Sequence, residues 1–179
     1  MTVAAASPNF ITEEVTSISV PFIVVAINEA VTVRIAAFLA PLLQSGDTVL
    51  LDGDLAAGKT YFVRHVVESL KTDDDISSPT YAIANIYQTA NCDVLHIDAY
   101  RVADANEFHN LGLEMEMEGS ICLIEWGSRI KGAFDDYLKI SISLVLGREN
   151  ERHFEISAKG PRSNRLMNNF QQDCSDLWR

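Results

Sequence analysis

The sequence is poor in cysteine and in positive charge. Its cysteines, Cys92, Cys122 and Cys174, are odd in number and lack the spacing of metal ligands, which argues against a zinc or redox role. The 14 lysines and arginines are outnumbered by 25 aspartates and glutamates, which gives a formal net charge of −11. Because nucleic-acid affinity comes mostly from Lys and Arg on phosphates, we do not expect this chain alone to bind RNA or DNA tightly. The acidic surplus is compatible with a partner protein that presents a basic surface.

Long apolar runs are also missing. No apolar stretch approaches the roughly 18 residues that a membrane span needs. The first residues, MTVAAASPNFITEEV, lack the basic region that opens a secretory signal, so we expect a cytoplasmic protein without a membrane contact. The length of 179 residues predicts one domain, and no repeat or linker divides it. We expect a loose leader at 1–18, the domain at 19–160, and a polar C-terminal tail at 161–179 that forms a short helix or none.

A phosphate-binding loop is the most informative pattern that is present. The run 53–60, GDLAAGKT, satisfies G-x-x-x-x-G-K-[ST], with a predicted buried strand at 48–51 before it and a predicted helix at 61–70 after it. Such a loop turns backbone N–H groups inward, and the following helix presents its positive end to the same point. Lys59 would reach the outer phosphates and the Thr60 hydroxyl would ligate Mg²⁺. The alternative is a glycine-rich turn with a solvent-facing lysine. The expected nucleotide contacts are Asp54, Leu55, Ala56, Ala57, Gly58, Lys59, Thr60 and Tyr61.

Two further predicted strands end in acidic residues. Residues 94–97 form a hydrophobic strand pattern followed by Asp98, as in a Walker B motif, and residues 121–124 form another followed by Glu125. Since ligands collect at the C-terminal edge of α/β strands, both carboxylates are candidates for the site. Asp98 would hold Mg²⁺ directly or through water, and Glu125 would ligate Mg²⁺ or orient the attacking water. Otherwise Asp98 is a turn residue and Glu125 begins a surface loop.

Several other residues leave two interpretations open. The run Ser-Pro-Thr at 78–80 is either a mobile hydroxyl segment that senses the γ-phosphate or a turn before a strand. His96 is either a hydrogen-bonded core residue or a functional one. Trp126 packs on the nucleotide or a partner, or it covers the core. Arg148 and Arg152 flank a predicted hairpin turn and either contact phosphates or are exposed turn residues.

The pattern along the chain predicts an α/β fold. A helical stripe at 30–43, interrupted by Pro41, lies between a first strand at 18–27 and the phosphate-loop strand, and the alternating stretches 138–146 and 153–157 predict a β-hairpin. Further predicted elements are strands at 82–87, 94–97 and 120–124 and a short helix between Asp104 and Gly112. The expected fold class is a P-loop NTPase-like sandwich: a central mixed sheet flanked by helices, with a C-terminal β-hairpin.

Five motifs together resemble a known family. GDLAAGKT, SSPTY, HIDAYR, LGLE and CLIEW, in this order and spacing, resemble the bacterial TsaE (YjeE) family, the ATPase component of tRNA threonylcarbamoyladenosine biosynthesis. The resemblance covers residues 19–160. It implies a small P-loop ATPase that uses ATP and Mg²⁺ and works with the TsaB and TsaD proteins. TsaD carries the transfer chemistry on the adenosine that follows the anticodon, so tRNA is expected to meet this chain only indirectly.

The resemblance also implies roles for individual residues. Thr60, Asp98 and Glu125 are the implied Mg²⁺ positions, and Lys59 joins the two acids as a catalytic residue. The further nucleotide contacts that it implies are Glu29 and Arg148.

The sequence departs from the family pattern at three positions. Ala56 and Tyr61 stand where the family usually has Gly and often has a second Thr. Nucleotide binding should survive Ala56 unless the backbone there needs a positive φ. Gly127 stands where a proline often follows Glu-Trp, which predicts a freer loop.

The sequence therefore supports a hypothesis of Mg²⁺-dependent ATP hydrolysis with slow intrinsic turnover. No unambiguous arginine finger stands out, so catalysis is expected to be completed by a partner complex. One alternative is a small-molecule kinase, which predicts an arginine-rich lid. Another is a regulatory switch that binds ATP without hydrolysing it. A GTPase is disfavoured because the guanine-reading run N-K-x-D is absent from the sequence.

Overall fold

The computed structural model of the chain describes residues 19–79 and 81–175. The predicted leader at 1–18, the Thr80 hydroxyl and the end of the predicted tail at 176–179 lie outside the described residues. The strands are β1 (Phe22–Ala26), β2 (Thr48–Asp52), β3 (Ala84–Tyr87), β4 (Asp93–Asp98), β5 (Ser120–Glu125), β6 (Tyr137–Val145) and β7 (Arg148–Lys159). They form one seven-stranded sheet in the order β1-β7-β6-β2-β5-β4-β3, which confirms the predicted fold class.

The sheet is mixed. β2 pairs in parallel with β5 and β6, and β4 pairs in parallel with β5. The pairs β1–β7, β6–β7 and β3–β4 are antiparallel, and β6–β7 is the predicted hairpin. Because β2, β4 and β5 run in the same direction, their C-terminal ends meet at one edge of the sheet.

Helices cover the sheet, and both faces of its centre are buried. The helices are α1 (Glu29–Leu39), α2 (Lys59–Ser69), α3 (Ala105–His109), α4 (Glu114–Gly119) and α5 (Pro161–Asp173). In β2, Val49 and Leu51 pack in a core shared with α1, α2 and α5, whereas Leu50 packs in a second core on the opposite face, with Phe108 of α3. Successive side chains of a strand point to opposite faces, so a continuous apolar run is the pattern of a strand covered on both sides. None of the helices within the described residues has the length and apolar composition needed to cross a bilayer.

α1 begins at its predicted cap and ends earlier than predicted. The side chain of Asn28 accepts a 3.0 Å hydrogen bond from the backbone N–H of Val31, which satisfies a free donor of the first turn. The α-helix stops at Leu39 and continues as a 3₁₀ turn over Ala40–Leu42, which contains Pro41. Proline has no N–H to donate, which accounts for the shortened helix.

Of the two short helices, α3 was predicted from the sequence and α4 was not. The predicted capped helix is α3, where the Asp104 carboxylate accepts hydrogen bonds from the backbone N–H groups of Asn106 (2.9 Å) and Glu107 (3.0 Å). α4 was not expected. It has no buried residue, so no apolar periodicity indicated it.

Of the two alternatives for the C-terminal stretch, a short helix or none, the structure shows the helix, and α5 packs on the domain. α5 buries Leu166 and Phe170 in the core that it shares with α1 and α2. Its first turn is capped from a distance, because the Asp136 carboxylate accepts hydrogen bonds from the backbone N–H groups of Arg162 (2.8 Å) and Ser163 (2.7 Å). The apolar stripe is narrow and the cap is 26 positions from Arg162 in sequence, so composition alone predicted a polar segment.

Candidate nucleotide-binding site

The phosphate loop joins the end of β2 to the first turn of α2, and its backbone requires both glycines of the pattern. A Cβ on Gly53, where φ is +139°, would lie 2.2 Å from the carbonyl oxygen of Ile142, so no larger residue fits. Gly58 precedes α2 with a φ of 109°, a conformation that glycine adopts without steric cost. The two glycines thus set the entry and the exit of the loop.

Ala56 lies in the left-handed region, with a φ of 63°. The sequence left open whether the backbone at this position needs a positive φ, and it does. A non-glycine residue in this region costs about 1–2 kcal/mol, because its Cβ approaches the following carbonyl oxygen. The loop of this chain is therefore strained at the position where the resembling family usually has glycine.

Lys59 is buried, and its side chain folds back against the start of the phosphate loop. Its ammonium group donates hydrogen bonds to the carbonyl oxygens of Gly53 (2.7 Å) and Asp54 (3.0 Å), and its Nζ lies 3.8 Å from the ring centroid of Trp126. Burial lowers the pKa of Lys59 below the ordinary lysine value, while the neighbouring Glu125 carboxylate acts in the opposite direction. The lysine is thus held by backbone acceptors and an aromatic face at the point where phosphates would enter.

Glu125 receives hydrogen bonds from two different elements. The Thr60 hydroxyl donates a 2.7 Å hydrogen bond to Oε1, and His96 Nε2 lies 3.0 Å from the same oxygen. Glu125 is 4% exposed and His96 is fully buried. The alternative of a surface-loop position for Glu125 is excluded, because the carboxylate is buried and bonded to Thr60 in the first turn of α2.

Asp98 lies beside Glu125 at the same sheet edge. The parallel register of β4 and β5 sets Asp98 opposite Glu125. Its Oδ1 also accepts a 2.9 Å hydrogen bond from the backbone N–H of Tyr100, so it caps the 3₁₀ turn over Ala99–Arg101. Asp98 is therefore a turn residue, and it also lines the cavity described next.

A cavity of about 510 Å³ collects these groups. Lys59, Thr60, Asp98 and Glu125 line it together with Ser78 and Trp126. Leu55, Ala56, Gly58 and Tyr61 of the loop and its helix also line it. The structure thus brings together the predicted lysine, hydroxyl and carboxylates, and it adds Ser78 of the predicted switch segment.

A second cavity, of about 220 Å³, lies on another side of the loop. Glu29, Ala57 and Tyr61 line it, as does Arg152, whose Nε donates a 3.0 Å hydrogen bond to the carbonyl oxygen of Ala57. Arg148 lines neither of these cavities. It pairs with Glu151 at 2.9 Å and lies with the exposed turn of the hairpin. Of the two hairpin arginines, the structure brings Arg152 to the phosphate loop and not Arg148.

Trp126 and Gly127 make the turn after β5 a packed one. Trp126 has a φ of 60°, and its ring packs at 5.1 Å between centroids from Tyr100. A Cβ on Gly127 would lie 2.5 Å from Cβ and 2.9 Å from Cα of Leu50. The expectation of a freer loop at Gly127 is therefore wrong, because the glycine is pressed against β2.

The oxygen groups at the cavity suit Mg²⁺. Within residues 19–79 and 81–175, no cluster of three or more His, Cys, Asp or Glu could hold a metal ion by itself. Thr60, Asp98 and Glu125 offer a hydroxyl and carboxylates, the ligand types that Mg²⁺ prefers. Since Mg²⁺ usually keeps several waters and takes further ligands from substrate phosphates, this donor set fits an ion that arrives with a nucleotide.

The mixed α/β sheet, with its phosphate loop between a central strand and a helix, defines a P-loop NTPase-like protein with the features of a nucleotide-binding enzyme. A family model described as threonylcarbamoyl adenosine biosynthesis protein TsaE matches residues 26–154. The chain belongs to the TsaE family, whose members take part in the threonylcarbamoyladenosine modification of tRNA.

Individual relatives support the same assignment. The chain is 38% identical over 126 residues to the tRNA threonylcarbamoyladenosine biosynthesis protein TsaE of Rickettsia felis, covering 70% of this chain and 73% of that protein. It is 30% identical over 154 residues to the TsaE protein of Bacillus subtilis, covering 86% and 91%. The crystal structure of Bacillus subtilis YdiB aligns with a TM-score of 0.73 at 26% identity, covering 87% of this chain and 97% of that one.

Proposed function

We propose that this chain is a Mg²⁺-dependent ATPase that supports threonylcarbamoyladenosine modification of tRNA together with TsaB and TsaD. The observation that carries the proposal is the hydrogen bond from Thr60 to Glu125, which joins a phosphate-loop hydroxyl to a buried carboxylate at the cavity. A hydroxyl whose proton is committed to a carboxylate keeps its oxygen lone pairs for a cation. This is the role that a P-loop Ser or Thr has in nucleotide hydrolases.

The loop and Lys59 would hold the phosphates of ATP. The backbone N–H groups at the start of α2 can donate hydrogen bonds to anions. The positive end of the α2 helix dipole lies at the same place and favours negative charge. Lys59 would exchange the carbonyl oxygens of Gly53 and Asp54 for phosphate oxygens. The Trp126 ring would keep the ammonium group at the mouth of the loop during that exchange.

Thr60, Glu125 and Asp98 would hold the metal ion. When bound, Mg²⁺ neutralises charge that develops on the phosphates during transfer to water. Glu125 Oε1 accepts both hydrogen bonds that the described residues make to this carboxylate, so Oε2 remains for a cation or for the attacking water. Asp98 supplies a second carboxylate at the same edge.

Catalysis is proposed to need the partner complex. No arginine is among the described residues that line the larger cavity. P-loop hydrolases that lack an arginine of their own at the γ-phosphate often receive one from another protein, and turnover is slow without it. The formal net charge of −11 suits a partner with a basic surface. In this proposal the partner complex binds the tRNA, and this chain meets it only indirectly.

The substitution Glu125→Ala tests hydrolysis against a switch that only binds ATP. In EDTA, the variant should bind ATP like the wild type. In a separate mixture with TsaB, TsaD and substrate tRNA, it should no longer sustain repeated rounds of modification. Glu116→Ala, at an exposed position on α4, is the matched control and should behave like the wild type. Full modification by Glu125→Ala would contradict the ATPase proposal and would favour the switch.

A further inference from the structure

His96 is a buried histidine to which the proposed function gives no task. It lies in the middle of β4, paired with Leu123 of β5 and Asn85 of β3, and it is fully buried. Its Nε2 lies 3.0 Å from Oε1 of Glu125. Its Nδ1 has no hydrogen-bond partner among the described residues.

The chemistry of this contact fixes which nitrogen carries the proton. A carboxylate oxygen only accepts hydrogen bonds, so Nε2 must donate to Glu125, and in the neutral ring Nδ1 is then a bare acceptor. A buried acceptor without a partner is destabilising, because it has lost its hydrogen bonds to water and gained none in the protein. An apolar side chain would avoid this cost, and the strand pairing of β4 does not need an imidazole. The reason for a histidine at this position is therefore its hydrogen bond to Glu125.

We propose that His96 is a positioning residue that holds the Glu125 carboxylate for its work on the metal-bound nucleotide; this rests on the proposed function. Thr60 and His96 both bond to Oε1, one from α2 and one from β4. Two donors from separate elements fix the rotation of the carboxylate. Oε2 is then held toward the cavity that Glu125 lines. His96 itself does not line this cavity, so it acts through Glu125.

The test replaces His96 with glutamine in one variant and with asparagine in another, two residues that carry a side-chain amide. In His96→Gln, the side-chain amide nitrogen can take the position of Nε2 and donate to Glu125. In His96→Asn, the shorter amide can replace only Nδ1, so the donor to Glu125 is lost. Calorimetric titration with ATP in EDTA and in rising MgCl₂ separates nucleotide affinity from the apparent affinity for Mg²⁺.

His96→Asn should weaken the apparent affinity for Mg²⁺ in the presence of ATP by about tenfold or more, the usual effect of losing an outer partner of a metal ligand. Its affinity for ATP in EDTA should not change. His96→Gln should restore the Mg²⁺ dependence. In a Glu125→Ala background, His96→Asn should have no further effect, because the carboxylate through which it acts is gone.

Thermal unfolding of each variant checks that the fold is intact. If His96→Asn does not fold, His96→Leu takes its place in the same measurements, since it removes the donor and the unpaired acceptor together. Wild-type Mg²⁺ dependence in the Asn or Leu variant, or an equal loss in the Glu125→Ala background, would overturn the positioning role. A wild-type protein that binds ATP equally with and without Mg²⁺ would instead overturn the proposed function itself.

Discussion

Thr60 Oγ1 donates a 2.7 Å hydrogen bond to Oε1 of Glu125, a residue 65 positions further along the chain. The contact arises from strand order, because β5 lies next to β2 and the parallel register sets Leu51 opposite Glu125. It ties the first turn of α2 to the end of β5. The hydroxyl and the carboxylate that the proposed chemistry needs are thus oriented by contacts within the fold itself.

The hydroxyl of Thr60 can be tested by a matched pair of substitutions. Thr60→Ser keeps the donor to Glu125 and should leave Mg²⁺-dependent ATP binding close to that of the wild type. Thr60→Ala removes both the donor and the proposed metal ligand, and it should weaken this binding by about tenfold or more. Calorimetry with and without MgCl₂ measures the difference. Equal behaviour of the Ser and Ala variants would contradict the role given to the hydroxyl.

The strain at Ala56 predicts a stabilising substitution. Ala56→Gly should raise the free energy of unfolding by about 0.5–1 kcal/mol, because relief of the left-handed strain exceeds the entropy that glycine adds to the unfolded chain. Ala57→Gly is the control. Ala57 is buried and has no positive φ, so this change should lower the free energy of unfolding by about 1–2 kcal/mol.

Urea unfolding of these two variants beside the wild type supplies the comparison. A destabilised Ala56→Gly protein, or the same effect at both positions, would mean that the loop backbone is not strained as described.

The distant cap of α5 predicts a loss of stability on substitution of Asp136. Asp136→Ala leaves two N–H groups of the first turn without their acceptor and should lower the free energy of unfolding by about 0.5–2 kcal/mol. The neighbouring Asp135 is fully exposed and lies 3.6 Å from Lys159, so Asp135→Ala should change stability by less than about 0.5 kcal/mol. Chemical denaturation of both variants checks the prediction, which fails if they are equally stable.

The cysteines should differ in reactivity. Burial raises the pKa of Cys122 and of Cys174 to about 12, and it raises the pKa of the half-buried Cys92 as well. The thiolate is the reactive form, so at about pH 8 a thiol reagent should modify Cys92 slowly and leave the other two intact. All three should react in denaturant. Mass spectrometry after partial labelling locates the modified residue, and rapid native labelling of Cys122 would contradict its burial.

The same pKa shifts predict how stability responds to alkaline pH. The unfolded thiols ionise near pH 8.5, about where model thiols do, whereas the buried ones in the folded chain stay protonated until pH is about 12. The folded state therefore binds more protons in this window, and the free energy of unfolding should fall as pH rises through it. Cys122→Ala should show a smaller decline than the wild type in denaturation measured across that range. An equal decline in both proteins would contradict the raised pKa of Cys122.

Local patterns predicted much of the fold and of the candidate site. The phosphate loop, its flanking strand and helix, and the acid at the end of each neighbouring strand depend on residues close in sequence, so periodicity and motif spacing were sufficient. The sequence did not reveal that Glu125 is the carboxylate that accepts the hydrogen bond from Thr60. That choice depends on β5 lying between β2 and β4, which is a property of strand order.

Two other features depend on long-range geometry. Which hairpin arginine reaches the phosphate loop is decided by the register of β6 and β7, which is irregular between Leu144 and Val145. The register brings Arg152 to Ala57 and leaves Arg148 at the turn. The positive φ of Ala56 was likewise not readable from its residue type, because alanine rarely adopts it.

The proposed ATPase activity is tested most directly by phosphate release from ATP by the purified protein with Mg²⁺, alone and with TsaB, TsaD and tRNA. A partner-stimulated ATPase should turn over slowly alone and faster with the partners, and Lys59→Ala should lose both activities. Lys131→Ala, at an exposed position that lines neither cavity at the loop, is the control and should match the wild type. Turnover that survives Lys59→Ala, or no turnover by the wild type even with all partners present, would contradict the proposed ATPase.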